Sequence, residues 1–214
     1  GVWDTVASVL VPRPDRFWIP SLETLPYTLQ NPSVARFRHA LAIDERRRMF
    51  RVAKWQEPQK FEPNPFNKSL TKDQDIKQVW FAGVHSDVGG GYSEKYSALS
   101  KYPLIWMAEE ARKAGLRIST QMLNHLAYGK DRKGSKHQYK PPSPTAMIHR
   151  SLTIGWWVLE IIPKNIKYRE WKRWSFLWRY IPWAEPRLIR NGDIHPSVDE
   201  RKKALPDYKP VNVP

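Results

Sequence analysis

The run Val79–Val84 (VWFAGV) carries no polar side chain, whereas residues 56–77 before it are rich in Pro, Asn and Lys. A short, wholly apolar run with turn residues at its exit predicts a strand buried on both faces, here over residues 78–85. The stretch 86–96 predicts a tight turn, because Gly89, Gly90 and Gly91 can adopt conformations that a side chain forbids. The opening GVWDTVASV reads as a second, shorter strand running into a loop, with Asp4 at its exit. Residues 11–30 hold four prolines and predict an irregular excursion.

Other segments show helical spacing. Asn31-Pro32-Ser33 suits a helix start, and Val34, Phe37, Ala40, Leu41 and Asp44 recur at helical intervals. They predict a helix over 34–50, with Asp44-Glu45-Arg46-Arg47-Arg48 as a solvated end. Residues 97–114 predict a helix with Leu99, Tyr102, Trp106 and Ala111 near one face. Pro103 must sit in its first turn or kink it, and Gly115 follows its end. The stretch 116–147 has little pattern and holds a basic loop near 128–145. Residues 148–162 fit a helix with Leu152, Trp156 and Leu159 inward, ended by Pro163. In the aromatic-basic segment near 164–190, Trp171, Trp174, Trp178 and Ile181 stand at helical spacing, and a β-ribbon is also compatible. Strand, long loop, helix, strand, glycine turn, helix is the alternation of an α/β protein with a mostly parallel sheet and crossover helices.

Composition changes this picture in three ways. With 214 residues the chain can bury a real core as one domain, yet its 19 prolines predict many loops. A net charge of +15 favours anionic partners. The Lys and Arg residues are spread along the chain, so nucleic acid is not the expected one. The absence of cysteine excludes a disulfide framework, a thiolate nucleophile and a Cys-based zinc site. It fits a reducing compartment, and the cytoplasm is the expected location. The first residue is Gly, inside a strand-like run, so the chain is expected to be the C-terminal part of a longer domain.

The candidate chemistry lies at the strand exits. His85, ahead of the glycine turn, is placed to act as a base, although a His at a turn can equally satisfy a backbone carbonyl. Asp4 could orient an imidazole or simply close its own turn. Asp87 is two residues from His85, too close in sequence to reach the far side of that ring, so a capping role is expected for it. Ser86 has no elbow geometry of its own. A metal site from Asp4, His85 and Asp87 lacks any supporting His pair, and neither metal nor cofactor is expected. The glycines are not a phosphate loop, because no Gly-Lys-Ser/Thr follows them. His39, His125, His137, His149 and His195 read as ordinary helix, loop or cap residues.

The segments GVWDTVAS, FRHALAIDERRRMFR, VWFAGVHSDVGGGY, LIWMAEEARKAGL and IHPSV together resemble a family of α/β-hydrolase-like proteins. That family, long labelled a domain of unknown function, includes the catalytic domains of phospholipase effectors of bacterial type VI secretion. The wording looks closer to its fungal branch. The resemblance implies a Ser on a G-F-S-R-G-like elbow, then an Asp, then a His, in the α/β-hydrolase order. Asp4 matches the acid of the family's VWDT motif and His85 the base of its GVHSDVGGGY motif. The resemblance also suggests a structural ion pair in the run 44–48. No G-x-S-x-G occurs in this chain, so the elbow and its neighbouring strands are expected upstream of Gly1, and the chain alone is expected to be inactive.

The resulting expectation is a part of a serine ester hydrolase, lipase- or phospholipase-like, acting on a lipid or other ester. Trp171, Trp174 and Trp178, interleaved with Lys and Arg, suit peripheral contact with an anionic membrane; packing over the core is the plainer use of the same residues. The alternative is a non-catalytic remnant that binds an anionic surface, membrane or nucleic acid, through its basic charge.

Overall fold

A computed structural model describes residues 1–6, 9–12, 20–23, 29–165, 169–172, 174–176, 178–190 and 192–213, with 9–12 and 20–23 described as backbone only. Its strands are β1 (Val2–Trp3), β2 (Val9–Pro12), β3 (Pro20–Glu23), β4 (Arg36–Ala42), β5 (Lys60–Phe61), β6 (Lys72–Asp73), β7 (Asp75–Phe81), β8 (Lys164–Asn165), β9 (Arg179–Tyr180) and β10 (Asp193–Ile194). Its helices are α1 (His85–Gly89), α2 (Lys101–Lys113), α3 (Thr120–Leu126), α4 (Ile154–Ile161) and α5 (Pro196–Ala204).

The centre is a parallel four-stranded sheet in the order β1-β4-β7-β10. Register runs Trp3 to Ala40, Ala40 to Val79 and Val79 to Asp193. Three antiparallel pairs, β2-β3, β5-β6 and β8-β9, lie outside it. Both sheet faces are covered, as a parallel sheet requires. On one, Ala40, Ala42, Val79, Phe81 and Val88 pack with Met107, Tyr102 and Trp106 of α2. On the other, Leu41, Ile43, Trp80 and Ala82 pack with Ile189, with Val198 of α5 and with Tyr208 and Val213 of the C-terminal tail. The protein is therefore mixed α/β with a parallel central sheet.

The expected helix over 34–50 is instead the central strand β4, followed by a 3-10 turn at Arg48–Phe50. A strand buried on both faces has apolar residues at successive positions, and these matched helical intervals by coincidence. Pairing with β7 along its length and with β1 at His39 and Ala40, together with burial of Ala40, Leu41 and Ala42, overrides the helix propensity of Ala, Leu and Arg. The solvated helix end is likewise overturned, since Glu45 and Arg48 are buried. Strands β5 and β6 and the start of β7 fall within 56–77, expected to be loop, and α3 lies in the patternless 116–147. The glycine turn contains the short helix α1.

Elsewhere local rules held. Pro103 sits in the first turn of α2, where no intrahelical N–H is needed. Gly115, at φ +97°, follows the cap residue Ala114. Trp156 and Leu159 of α4 are half-buried. In 164–190 the ribbon prevails, through β8 and β9. Among the described residues, no helix is long and apolar enough to cross a membrane.

Candidate active site

Asp4 and His85 both follow carboxyl ends of sheet strands, β1 and β7. Strand β4 lies between those strands. The two side chains meet across 81 residues of sequence, His85 Nδ1 to Asp4 Oδ2 at 2.7 Å. A carboxylate only accepts, so Nδ1 carries the proton and Nε2 is left as the basic nitrogen. Nε2 makes no hydrogen bond among the described residues, and the His85 side chain is 27% exposed. The edge of its ring packs on Phe50, 5.1 Å between centroids.

Asp4 is wholly buried and has φ +43°, a left-handed conformation that Asp tolerates better than most residues. Its N–H donates to Ala40 O at 2.7 Å. The next N–H, of Thr5, donates to Nε2 of the buried His39 at 3.0 Å. Burial holds the His39 pKa down, at about 4, so this imidazole is a neutral acceptor near pH 7.

The Asp4 carboxylate has three further donors. Ala42 N–H reaches Oδ1 at 2.9 Å. Arg187 Nη1 donates to Oδ1 at 2.6 Å and Nη2 to Oδ2 at 3.0 Å, a two-pronged clamp. The same guanidinium donates to Ala42 O and Phe50 O, at 2.9 and 2.6 Å. Burial alone would push the Asp4 carboxyl up. The Arg187 charge and the hydrogen bonds from His85, Arg187 and Ala42 outweigh burial and hold it well below the usual carboxylate range.

Three consecutive N–H groups approaching His85 each donate to a different carboxylate. Gly83 donates to Asp44 Oδ2 (2.7 Å), Val84 to Asp87 Oδ2 (3.1 Å) and His85 to Glu45 Oε2 (3.2 Å). Glu45 is anchored by Arg47 through two side-chain bonds of 2.9 and 2.8 Å, and by Ser151 Oγ at 3.1 Å. Those Arg47 bonds overcome burial and keep Glu45 below its ordinary pKa. Gly83 must be glycine: its φ is +120°, and a Cβ there would lie 2.5 Å from Asp87 Cβ. Gly90, at φ +78°, ends α1.

Asp87 does not join Asp4 and His85. Its Oδ1 accepts from His149 Nδ1 at 2.6 Å and its Oδ2 from His149 N at 3.2 Å. His149, expected to be an ordinary residue, is thus the partner of a second Asp–His pair. Trp171 is half-buried and donates its indole N–H to Pro186 O at 2.6 Å, whereas Trp174 and Trp178 are exposed. Sequence reasoning passed over Arg187, His39 and Glu45. The only signal near Glu45 was the ion pair suggested for 44–48, observed as Glu45–Arg47 at 2.8 Å.

A buried, counter-charged carboxylate orients an imidazole whose other nitrogen has no partner among the described residues, at the strand ends of a parallel sheet, an arrangement that can take up and pass on a proton. The family model described as "T6SS, Phospholipase effector Tle1-like, catalytic domain" matches residues 1–110, and the chain belongs to that family. An uncharacterised protein of Saccharomyces cerevisiae is 36% identical over 61 residues, which cover 27% of this chain and 9% of that relative. The chain thus spans less than a tenth of the length of that curated relative. No solved structure matches.

Proposed function

We propose that this chain supplies the acid, Asp4, and the base, His85, of a serine ester hydrolase of α/β-hydrolase-like architecture that acts on lipid esters. The observation that carries the reading is the 2.7 Å bond from Nδ1 to a carboxylate that Arg187 clamps, with no partner for Nε2 among the described residues. The phospholipase description of the family points to the lipid ester. The nucleophile would be a Ser on a strand outside these 214 residues. Strand β1 is at the edge of the central sheet among the described residues, and an edge strand presents unpaired N–H and C=O groups to which such a strand could add.

In the proposed mechanism the Ser hydroxyl attacks the ester carbonyl as His85 Nε2 takes its proton. The resulting imidazolium is steadied by Asp4 and delivers the proton to the leaving alcohol. A water, activated by the same nitrogen, then cleaves the acyl-enzyme and releases the acid. The N–H groups of residues 83–85 are already engaged by carboxylates, so the oxyanion donors are assigned to the strand that brings the Ser.

The test is phospholipid and short-chain ester hydrolysis by the complete protein, with His85→Ala and Asp4→Asn beside it. Loss of turnover in both, with folding intact, is the expected result. Undiminished turnover in His85→Ala would overturn the reading.

A further inference from the structure

Helix α4 is apolar on both sides. Its inner side places Trp156 against Phe50, 5.3 Å between ring centroids, and Phe50 touches the His85 ring. Its outer side exposes Ile154, Trp157, Val158 and Ile161, at i, i+3, i+4 and i+7, with Ile154 at 87% exposure. Trp157 packs edge-on against Trp183. Exposed apolar surface continues through Ile162, Trp174, Phe176, Trp178, Ile181 and Trp183. Trp174 and Trp178 are each 80% exposed, and Trp174 stacks on Phe176.

Two of these tryptophans also have left-handed backbone, Trp178 at φ +61° and Trp183 at φ +55°. Such a conformation strains a bulky residue, and the exposed Trp178 side chain gains little burial to offset it.

We propose that this face docks on an anionic lipid surface. Large contiguous apolar patches mark interaction sites. Trp174, Phe176 and Trp178 between the two strands of a ribbon, and the exposed Ile residues of an apolar helix, suit the interfacial zone of a bilayer. Charge selects the kind of surface. Lys172, Arg179 and Arg190 are exposed. The acidic residues between 154 and 190 are turned to internal use. Glu160 is buried and accepts from Arg48 N, Glu170 pairs with Arg48 at 2.8 Å, and Glu185 is buried. A rim of cations without opposing exposed carboxylates complements anionic headgroups and repels a second copy of itself. The face lies outside the residues matched by the family model.

The inference deepens the lipid-ester reading, because docking here would hold the membrane beside the wall that flanks His85. Its test needs no turnover. The complete protein is sedimented with phosphatidylcholine vesicles, with and without phosphatidylserine. Binding is expected only with phosphatidylserine, and to fall as salt rises. Trp174→Ser/Trp178→Ser should weaken it by at least about tenfold, given the apolar area withdrawn. Lys172→Gln and Arg179→Gln should each weaken it roughly fivefold at low salt. The side chains are exposed, so the thermal transition should stay put. His85→Ala should bind as the parent does. A parent protein that hydrolyses no ester yet binds these vesicles would sink the hydrolase reading and leave the docking surface standing. Equal binding by the double Trp variant would overturn the proposal. So would absence of vesicle binding with these tryptophans shielded from a soluble quencher, which would assign the face to another segment of the protein. A dimer dispersed by Trp178→Asp would assign it to a second copy.

Discussion

Two histidines of this chain each point Nδ1 at a buried aspartate, His85 at Asp4 over 2.7 Å and His149 at Asp87 over 2.6 Å. The pairs differ in what surrounds them. His149 also donates its backbone N–H to the same carboxylate, which in turn accepts from Val84 N. Its ring stacks on Tyr92 at 3.6 Å and meets the Tyr96 ring edge-on, with 15% of the side chain exposed. That pair fastens the loop before α4 to the start of α1. In the first pair the carboxylate is clamped by Arg187, whereas no cation clamps Asp87 among the described residues. An Asp–His hydrogen bond alone therefore does not mark a base. Neither ring has a partner for Nε2 among the described residues; what sets His85 apart is the Arg187 clamp on the carboxylate behind it and a more exposed side chain, 27% against 15%.

The comparison breaks most directly on activity. In the complete protein, His85→Ala and Asp4→Asn are expected to lower kcat/KM for ester hydrolysis by about 10³–10⁴-fold, and His149→Ala by no more than about tenfold. A reversed order would make the second pair the chemical one.

Stability should respond next. Arg187→Met leaves Asp4 buried without its counter-charge. Breaking one side of such a pair costs about 3–5 kcal/mol, read as a lowered urea midpoint. Retention of stability would show that the Ala42 and His85 bonds suffice for the carboxylate.

The third test uses pH. His39 behind Asp4, and His195 at the start of α5, are held by burial near a pKa of about 4, against an ordinary value of 6.5. The unfolded chain takes up their protons as pH falls below 6.5, while the folded chain resists. Stability should therefore decline between pH 6.5 and 4, by roughly 3 kcal/mol for the fully buried His39. Asp4 acts lower: its pKa is depressed on folding, so its contribution is complete above its ordinary value of 3.8 and is lost only below that. Unfolding midpoints in urea across this range, with His39→Gln as the comparison, measure the slope. A flat profile in the parent would show that His39 is not held neutral.

The smallest effect belongs to the second pair. His149→Ala should cost about 1–2 kcal/mol, the order of a buried charge-assisted hydrogen bond. It should also speed amide exchange in residues 146–150 while leaving the Asp4–His85 pair intact. Unchanged exchange there would remove the fastening role.

Local chemistry sufficed for part of this protein. A wholly apolar run announced the buried end of β7, although the strand lies at Asp75–Phe81, three to four residues earlier than the expected 78–85. Gly115 and Pro103 bracket α2 through backbone rules confined to a few residues. His85 and Asp4 could be singled out because strand exits and a long motif are written in consecutive residues. Other features depended on residues far apart in sequence. The run 34–50 carries helix formers at helical intervals, and only the neighbours β1 and β7 make part of it a strand. Arg187 is 183 residues from Asp4, and nothing in its surroundings distinguishes it from the many other cations. Asp44 and Glu45 looked like surface charges, yet they accept the backbone N–H groups of Gly83 and His85 just beyond the end of β7. Propensity and apolar patterning act over a few neighbours, so a sequence can state them. Burial of a charge and completion of a sheet ladder depend on which distant groups fold against it, and those the tertiary structure alone decided.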